Sequence, residues 1–173
     1  MTQFLTYSLP VILVMVFTIT LVIVFMKQET RRRQLEIRSR EGADLMNKRI
    51  LAYERLTLLL ERLHPEALVL REQKKNMTSV MFQQHLLKVI RSEFDHNLSM
   101  QIYVSDRTWA KIKSTREGLV RLINSTAANP DPNAPAIVLG HSLIESSGGD
   151  LIHYFRNSII AIKNEMNEFY GGK

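Results

Sequence analysis

The sequence predicts an all-α protein with one N-terminal transmembrane helix, a polar juxtamembrane stalk and a small cytoplasmic helical bundle. Three observations support this fold class. The chain opens with 23 uncharged residues, Phe4 to Met26. Several later segments repeat apolar residues at helical spacing. One stretch, residues 99–104, alternates like a β-strand, but no second strand is available to pair with it.

The uncharged run is long enough to cross a membrane. As a helix it would extend roughly 35 Å, and the hydrocarbon core of a bilayer is roughly 30 Å thick. A cleaved signal peptide has its basic residues before the apolar run, whereas here nothing basic precedes Phe4 and MKQETRRR ends the run. We therefore expect residues 1–27 to form a retained transmembrane segment.

A cluster of basic residues follows the apolar run directly. The positive-inside rule places such residues in the cytoplasm, so we expect the N-terminus outside and the C-terminal domain in the cytoplasm. The same residues are expected to anchor the chain at anionic lipid head groups. They are Lys27, Arg31, Arg32, Arg33, Arg38 and Arg40. The absence of cysteine is compatible with a reducing compartment.

The positive charge is concentrated beside the membrane. Residues 27–49 hold eight basic and four acidic side chains, which accounts for four of the six net positive charges. A nucleic-acid surface would instead spread basic residues over the folded domain and interleave them with aromatic residues. We therefore expect no nucleic-acid partner, although a tether for ribosomes or another polyanion stays open as an alternative.

A polar stalk over residues 28–42 is predicted to lead into a helical bundle core over residues 43–127. Glu29 and Arg33 have the i,i+4 spacing that supports a solvated helix. The first core helix, residues 43–64, is expected to end before Pro65, because proline disfavours the helical conformation in the preceding residue. Its apolar stripe comprises Leu45, Ala52, Leu56, Leu59 and Leu63.

Two further core helices are predicted. One covers residues 80–97 behind a cap at Thr78 or Ser79, and the other covers residues 106–126 behind a cap at Ser105. The alternating residues 99–104 between them are expected to be an extended connector lying on the core. Its inward side chains would be Met100, Ile102 and Val104.

The C-terminal part is predicted to follow a flexible, Pro-rich linker, residues 128–136. Residues 137–173 are expected to form C-terminal helices, interrupted at the sequence SSGGD. The last helix carries apolar residues on more than one side, which is typical of a helix that binds a partner or self-associates. The candidate partner-binding residues are Phe155, Ile159, Ile160, Ile162 and Met166.

Two Glu-x-x-His pairs are weak candidates for a metal site. The spacing puts a carboxylate and an imidazole on one helical face, as in di-iron helical bundles. Each pair, however, lies at the end of its predicted helix and next to an arginine that can bind the carboxylate. The pairs are Glu61 with His64 and Glu93 with His96. We expect neither metal nor another cofactor.

Catalytic motifs do not stand out in the sequence. There is no thiol, no serine in a nucleophile elbow, and no lysine beside Gly148 and Gly149 to form a phosphate-binding loop. We therefore expect a protein that is not an enzyme and for which no small-molecule substrate can be named.

Three stretches resemble an uncharacterised family of single-span membrane proteins from Bacteroidota. They are YERLTLLLERLHPEALVLR at 53–71, IRSEFDHNLSMQIYVS at 90–105 and NAPA at 133–136. The resemblance covers most of the chain, including the apolar span. It implies a location in the bacterial inner membrane and brings no known activity with it.

These observations predict a non-enzymatic, membrane-anchored scaffold or accessory subunit of an inner-membrane complex. Its cytoplasmic helical domain is expected to bind a protein partner or a second copy of itself. Two alternatives stay open: a di-iron-like module that uses the Glu-x-x-His pairs, and the polyanion or ribosome tether.

Overall fold

The computed structural model describes the backbone of residues 2–171 and the side chains of residues 13–34 and 40–171. Over these residues it has six α-helices, one 3-10 helix and no β-strand, so the all-α prediction is confirmed. The elements are α1 (Thr2–Leu63), α2 (Pro65–Glu72), α3 (Ser79–His96), the 3-10 helix (Leu98–Tyr103), α4 (Asp106–Ala127), α5 (Ala136–Ser146) and α6 (Asp150–Gly171). The chain divides into two compact units, residues 1–47 and 48–173.

The first unit is the N-terminal part of α1. Its segment Leu13–Gln34 is long and apolar enough to cross a membrane, and none of it is buried by the rest of the protein. The hydroxyls of Thr18 and Thr20 donate to the carbonyls of Val14 and Val16 at 2.6 and 2.7 Å, which satisfies both donors within the helix. Residues 4–12 of the predicted span have side chains outside the described part.

The polar stalk continues this helix, as predicted, and passes through Gly42 without a break. In the second unit α1 ends at Leu63, two residues before Pro65, which was predicted to stop the helix. The predicted stripe is buried from Ala52 to Leu63, but Leu45 is exposed, so its assignment to the core was wrong. Leu45 precedes the second unit, where the packed part of the helix begins.

The second unit has one hydrophobic core to which every α-helix contributes. Phe82, Leu86, Ile90 and Phe94 of α3 are buried, and the single tryptophan, Trp109 on α4, packs on Phe94 with ring centroids 5.2 Å apart. The same core includes Leu139 and Leu143 from α5 and Phe155 from α6. The C-terminal helices are therefore part of the bundle.

The Pro-rich segment is fixed to the start of α3, which differs from the flexible linker that we expected. The carbonyls of Ala134 and Pro132 accept from the backbone N–H groups of Ser79 and Val80 at 2.8 and 3.2 Å. The first N–H groups of a helix have no partner within that helix, so these carbonyls complete the N-terminus of α3. Ala136 in turn donates to the carbonyl of Met77 at 2.9 Å.

The connector between α3 and α4 is helical, whereas an extended connector was expected. Residues 98–103 form a 3-10 helix, in which side chains three residues apart share a face. Met100 and Val104 pack against the core as predicted, but Ile102 is exposed, so its inward assignment was wrong.

The remaining turns follow the predicted signals. Thr78 caps α3 by accepting from the N–H of Met81 at 3.3 Å, and Ser105 caps α4 by accepting from the N–H of Thr108 at 3.2 Å. The SSGGD break separates α5 from α6, and Gly149 there has a φ of +79°, which glycine adopts without strain.

Candidate membrane anchor and partner-binding groove

Most of the predicted lipid-anchoring residues are exposed. Lys27, Arg31, Arg32, Arg33 and Arg40 are exposed, whereas Arg38 has a side chain outside the described residues. The Nε of Arg33 binds a carboxylate oxygen of Glu29 at 2.9 Å, which is the predicted i,i+4 pair. The exposed guanidinium groups of Arg31, Arg32, Arg33 and Arg40 therefore lie on the outside of the helix, after the uncharged run that ends at Met26.

The two Glu-x-x-His pairs have separate structural surroundings. Glu93 accepts hydrogen bonds from Arg62 of α1, so the arginine that neutralises it comes from a neighbouring helix. His64 packs its ring edge against Phe155 at 5.5 Å, while Glu61 and His96 are exposed. Within the described side chains, no group of three or more His, Asp and Glu residues could hold a metal ion.

The five predicted partner-binding residues of α6 divide into two groups. Phe155 and Ile162 are only 3% and 2% exposed, so they are core residues and their assignment to a partner is corrected. Ile159 and Met166 are half-buried, and Ile160 is 44% exposed. The apolar excess of α6 thus serves mainly the protein's own core, because α6 packs along α4.

An apolar groove lies between α1 and α6. It encloses about 490 Å³ and has only two charged lining residues, Glu54 and Lys163. The remaining lining residues are Ile50, Tyr53, Thr57, Leu58, Ile162 and Met166. Met166, a predicted partner-binding residue, therefore lines this groove beside the core residue Ile162 and α1 residues that the sequence did not single out.

Tyr53, one of the lining residues, also belongs to a polar cluster between the helices. The hydroxyl of Tyr53 lies 3.5 Å from a carboxylate oxygen of Glu165, which also accepts from the N–H and the hydroxyl of Ser105 at 2.7 and 2.6 Å. Burial, followed by the negative charge of Glu165, raises the pKa of Tyr53. The phenol of Tyr53 therefore stays neutral and can donate to Glu165. The contacts of Glu165 with Tyr53 and Ser105 join α1, α4 and α6 at one point.

A second, more polar groove of about 410 Å³ lies between α1 and α3. Arg55, Arg62 and Glu93 are among its lining residues, and Leu58 lines this groove as well as the first. Leu58 is 60% exposed, and so it forms a ridge between two depressions. The signal that could have identified it is the seven-residue spacing to Leu51, another exposed leucine on the same helix.

These features define an all-α protein with a potential membrane-spanning helix near its N-terminus. The profile of a family of unknown function (DUF7935) matches residues 1–169, and the chain belongs to this family. No curated protein and no solved structure matches the chain.

Proposed function

We propose that this protein is a non-enzymatic scaffold or accessory subunit of a complex in the bacterial inner membrane. The apolar segment of α1 crosses the bilayer once, and the exposed basic residues after it keep the helical unit in the cytoplasm. The same residues lie against anionic head groups. The resemblance to single-span proteins of Bacteroidota supports this location.

The observation that carries the proposal is the apolar groove between α1 and α6. A groove with apolar walls and charged residues beside them fits an amphipathic helix, whose i, i+3 and i+4 side chains enter the groove. Leu58 and Met166 would contact the apolar face of that helix, while Glu54 and Lys163 would contact its polar margins. The partner is therefore a protein that presents an amphipathic helix near the cytoplasmic membrane surface.

The carboxylates at helix contacts support a binding role over catalysis, because each has a structural partner. Glu165 binds Ser105, Glu93 binds Arg62, and Glu72 binds Arg71 and His85. A general acid or base must instead present its proton to a substrate. These three glutamates hold helices together.

Site-specific photocrosslinking in cells tests the proposal. A photoreactive amino acid at Leu58 of the full-length protein should give protein adducts, and Met166→Glu should abolish them by placing a charge in the groove. The matched control is the same photoreactive group at Lys113, which is exposed on α4. Equal yields at the two positions, or no adduct at Leu58, would contradict the proposal.

A further inference from the structure

We propose that the partner at this face is a second copy of the chain, and that two copies pack in parallel along Leu51 and Leu58 about a two-fold axis. This inference rests on the proposed function, because it names the partner of the face described there. It depends on three observations about the second unit: an apolar ridge, the charges that flank it, and the two grooves beside it.

The ridge lies on the side of α1 that faces away from the core. Helical residues advance by about 100°, so residues seven apart share a face, about 10 Å apart along the axis. Leu51 and Leu58 have this spacing and are 49% and 60% exposed. Ala52 and Leu59, which directly follow these leucines, lie about 100° further around the helix and are buried, as is Leu56. Two exposed leucines seven residues apart present a short apolar strip that a second helix can cover.

Opposite charges flank this ridge on its two sides. Glu54 and Glu61 follow the two leucines by three residues, and Arg55 and Arg62 follow them by four. A helix turns by about 300° over three residues and about 400° over four, so the two rows lie on opposite flanks of the ridge. All four side chains are exposed, and Arg62 also binds Glu93 of its own chain. One flank is therefore acidic and the other is basic.

The charge pattern selects the orientation of the two copies. In a parallel two-fold pair, the left flank of each helix faces the right flank of its partner, as the g and e positions of a parallel coiled coil do. Glu54 and Glu61 of one copy would then face the arginine row of the other. In an antiparallel pair, the acidic flank of one copy would face the acidic flank of the other, and the basic flank would face the basic flank. The flanks are complementary only in the parallel arrangement.

The short length of the ridge is compatible with a pair that forms only on the membrane. Two leucines per copy give a small apolar contact, but tethering both copies to one bilayer raises their effective concentration, as a short linker does. Both copies enter the bilayer by the same segment and so approach with the same polarity. The grooves on either side of Leu58 give the partner's side chains space beside the ridge.

Cysteine crosslinking in membranes tests the orientation, and the chain has no native cysteine to interfere. A disulfide forms only where the Cα atoms approach within about 7 Å. In the parallel pair, Leu51→Cys and Leu58→Cys should each form a disulfide-linked dimer of identical copies under oxidising conditions, and Lys113→Cys should not. If dimers form only when Leu51→Cys and Leu58→Cys copies are mixed, the pair is antiparallel and the inference is overturned.

Charge reversal provides an independent test in the Leu58→Cys background. Glu54→Arg or Arg55→Glu alone should lower the dimer yield about fivefold, because an exposed attractive pair becomes repulsive at two symmetry-related places. The double reversal restores complementary flanks and should restore the yield. The fluorescence of Trp109, which is buried in the core, verifies that each variant is folded. Single reversals that leave the yield unchanged or raise it would overturn the inference.

A maleimide that carries a photoreactive group, attached at Leu58→Cys of the full-length protein in membranes, separates this inference from the proposed function. A crosslinked dimer of the chain supports both. Adducts with a different protein, without the dimer, overturn the second copy as partner and leave the proposed function standing. No adduct of either kind overturns both.

Discussion

The carboxylate of Glu165 on α6 accepts hydrogen bonds from the hydroxyl and the backbone N–H of Ser105, the residue that caps α4, at 2.6 and 2.7 Å. A negative charge at a helix N-terminus is favourable, because it complements the positive end of the helix dipole. Tyr53 of α1 lies 3.5 Å from the same carboxylate. The helices that form the apolar groove are thus held by one acidic side chain that apolar periodicity alone would not reveal.

Replacing Glu165 should weaken the folded unit. Glu165→Ala removes the acceptor of both Ser105 hydrogen bonds, and we expect a loss of about 1–3 kcal/mol in the free energy of unfolding. Urea titration of the full chain in detergent, followed by Trp109 fluorescence, measures it. Glu168→Ala is the control, since Glu168 is exposed on the same helix and its loss should cost at most about 0.5 kcal/mol. Equal effects of the two substitutions would refute the role given to Glu165.

The buried Phe155 and the exposed Ile160 of α6 should contribute very differently to the free energy of unfolding. Phe155 is buried against His64 and the core, so Phe155→Ala should cost about 3–5 kcal/mol of unfolding free energy. Ile160→Ala, on the exposed side of the same helix, should change it by at most about 0.5 kcal/mol. The same urea titration compares them. A mild effect at Phe155 would return that residue to the partner-binding set.

A buried polar contact between α4 and α6 should behave as a coupled pair. The hydroxyls of Thr115 and Ser158 are 2.8 Å apart, and both residues are buried. Thr115→Val leaves the Ser158 hydroxyl without this partner and should cost about 1–3 kcal/mol. The double variant Thr115→Val/Ser158→Ala should cost less than the sum of the two single changes. Strict additivity in a double-mutant cycle would show that the two hydroxyls act independently.

The stability of the folded unit should depend on pH through the carboxyl group of Glu72. Burial favours a higher pKa, but the hydrogen bonds from Arg71 and His85 outweigh it and hold the pKa of Glu72 below its ordinary value of 4.5. A carboxyl with a lowered folded-state pKa stabilises the fold above its ordinary pKa, and this contribution disappears as the pH falls through the lowered value.

Glu72→Gln should therefore cost about 1 kcal/mol near neutral pH, and the difference from the natural chain should shrink towards zero in strong acid. Urea titrations of both proteins over a pH series measure this difference. Glu117→Gln is the control, because Glu117 is exposed on α4. A gap between the natural chain and Glu72→Gln that is constant with pH would contradict the assignment.

The fold was largely predictable because its signals are local. Apolar spacing identified the buried stripe of α1 from Ala52 to Leu63, and the residues Thr78, Ser105 and Pro65 marked helix boundaries. Each of these signals depends on a few neighbouring residues, so the amino-acid sequence of a single protein reveals it.

The unpredicted features depend on contacts between segments far apart in the chain. The Pro-rich segment looked flexible because proline lacks an N–H, but its carbonyls could still accept from the start of α3, 55 residues away for Ser79 and Ala134. Phe155 looked available because sequence does not tell which neighbour covers an apolar face. The grooves that meet at Leu58 arise from helix packing alone.

The most direct test of the account is the orientation of the chain in the membrane. Because the chain has no cysteine, Thr2→Cys and Lys113→Cys each introduce a single thiol into the full-length protein. A maleimide that cannot cross the inner membrane, applied to cells with a permeabilised outer membrane, should label Thr2→Cys at once and Lys113→Cys only after lysis. Labelling of Lys113→Cys in unlysed cells would place the helical unit outside the cytoplasm and contradict the account.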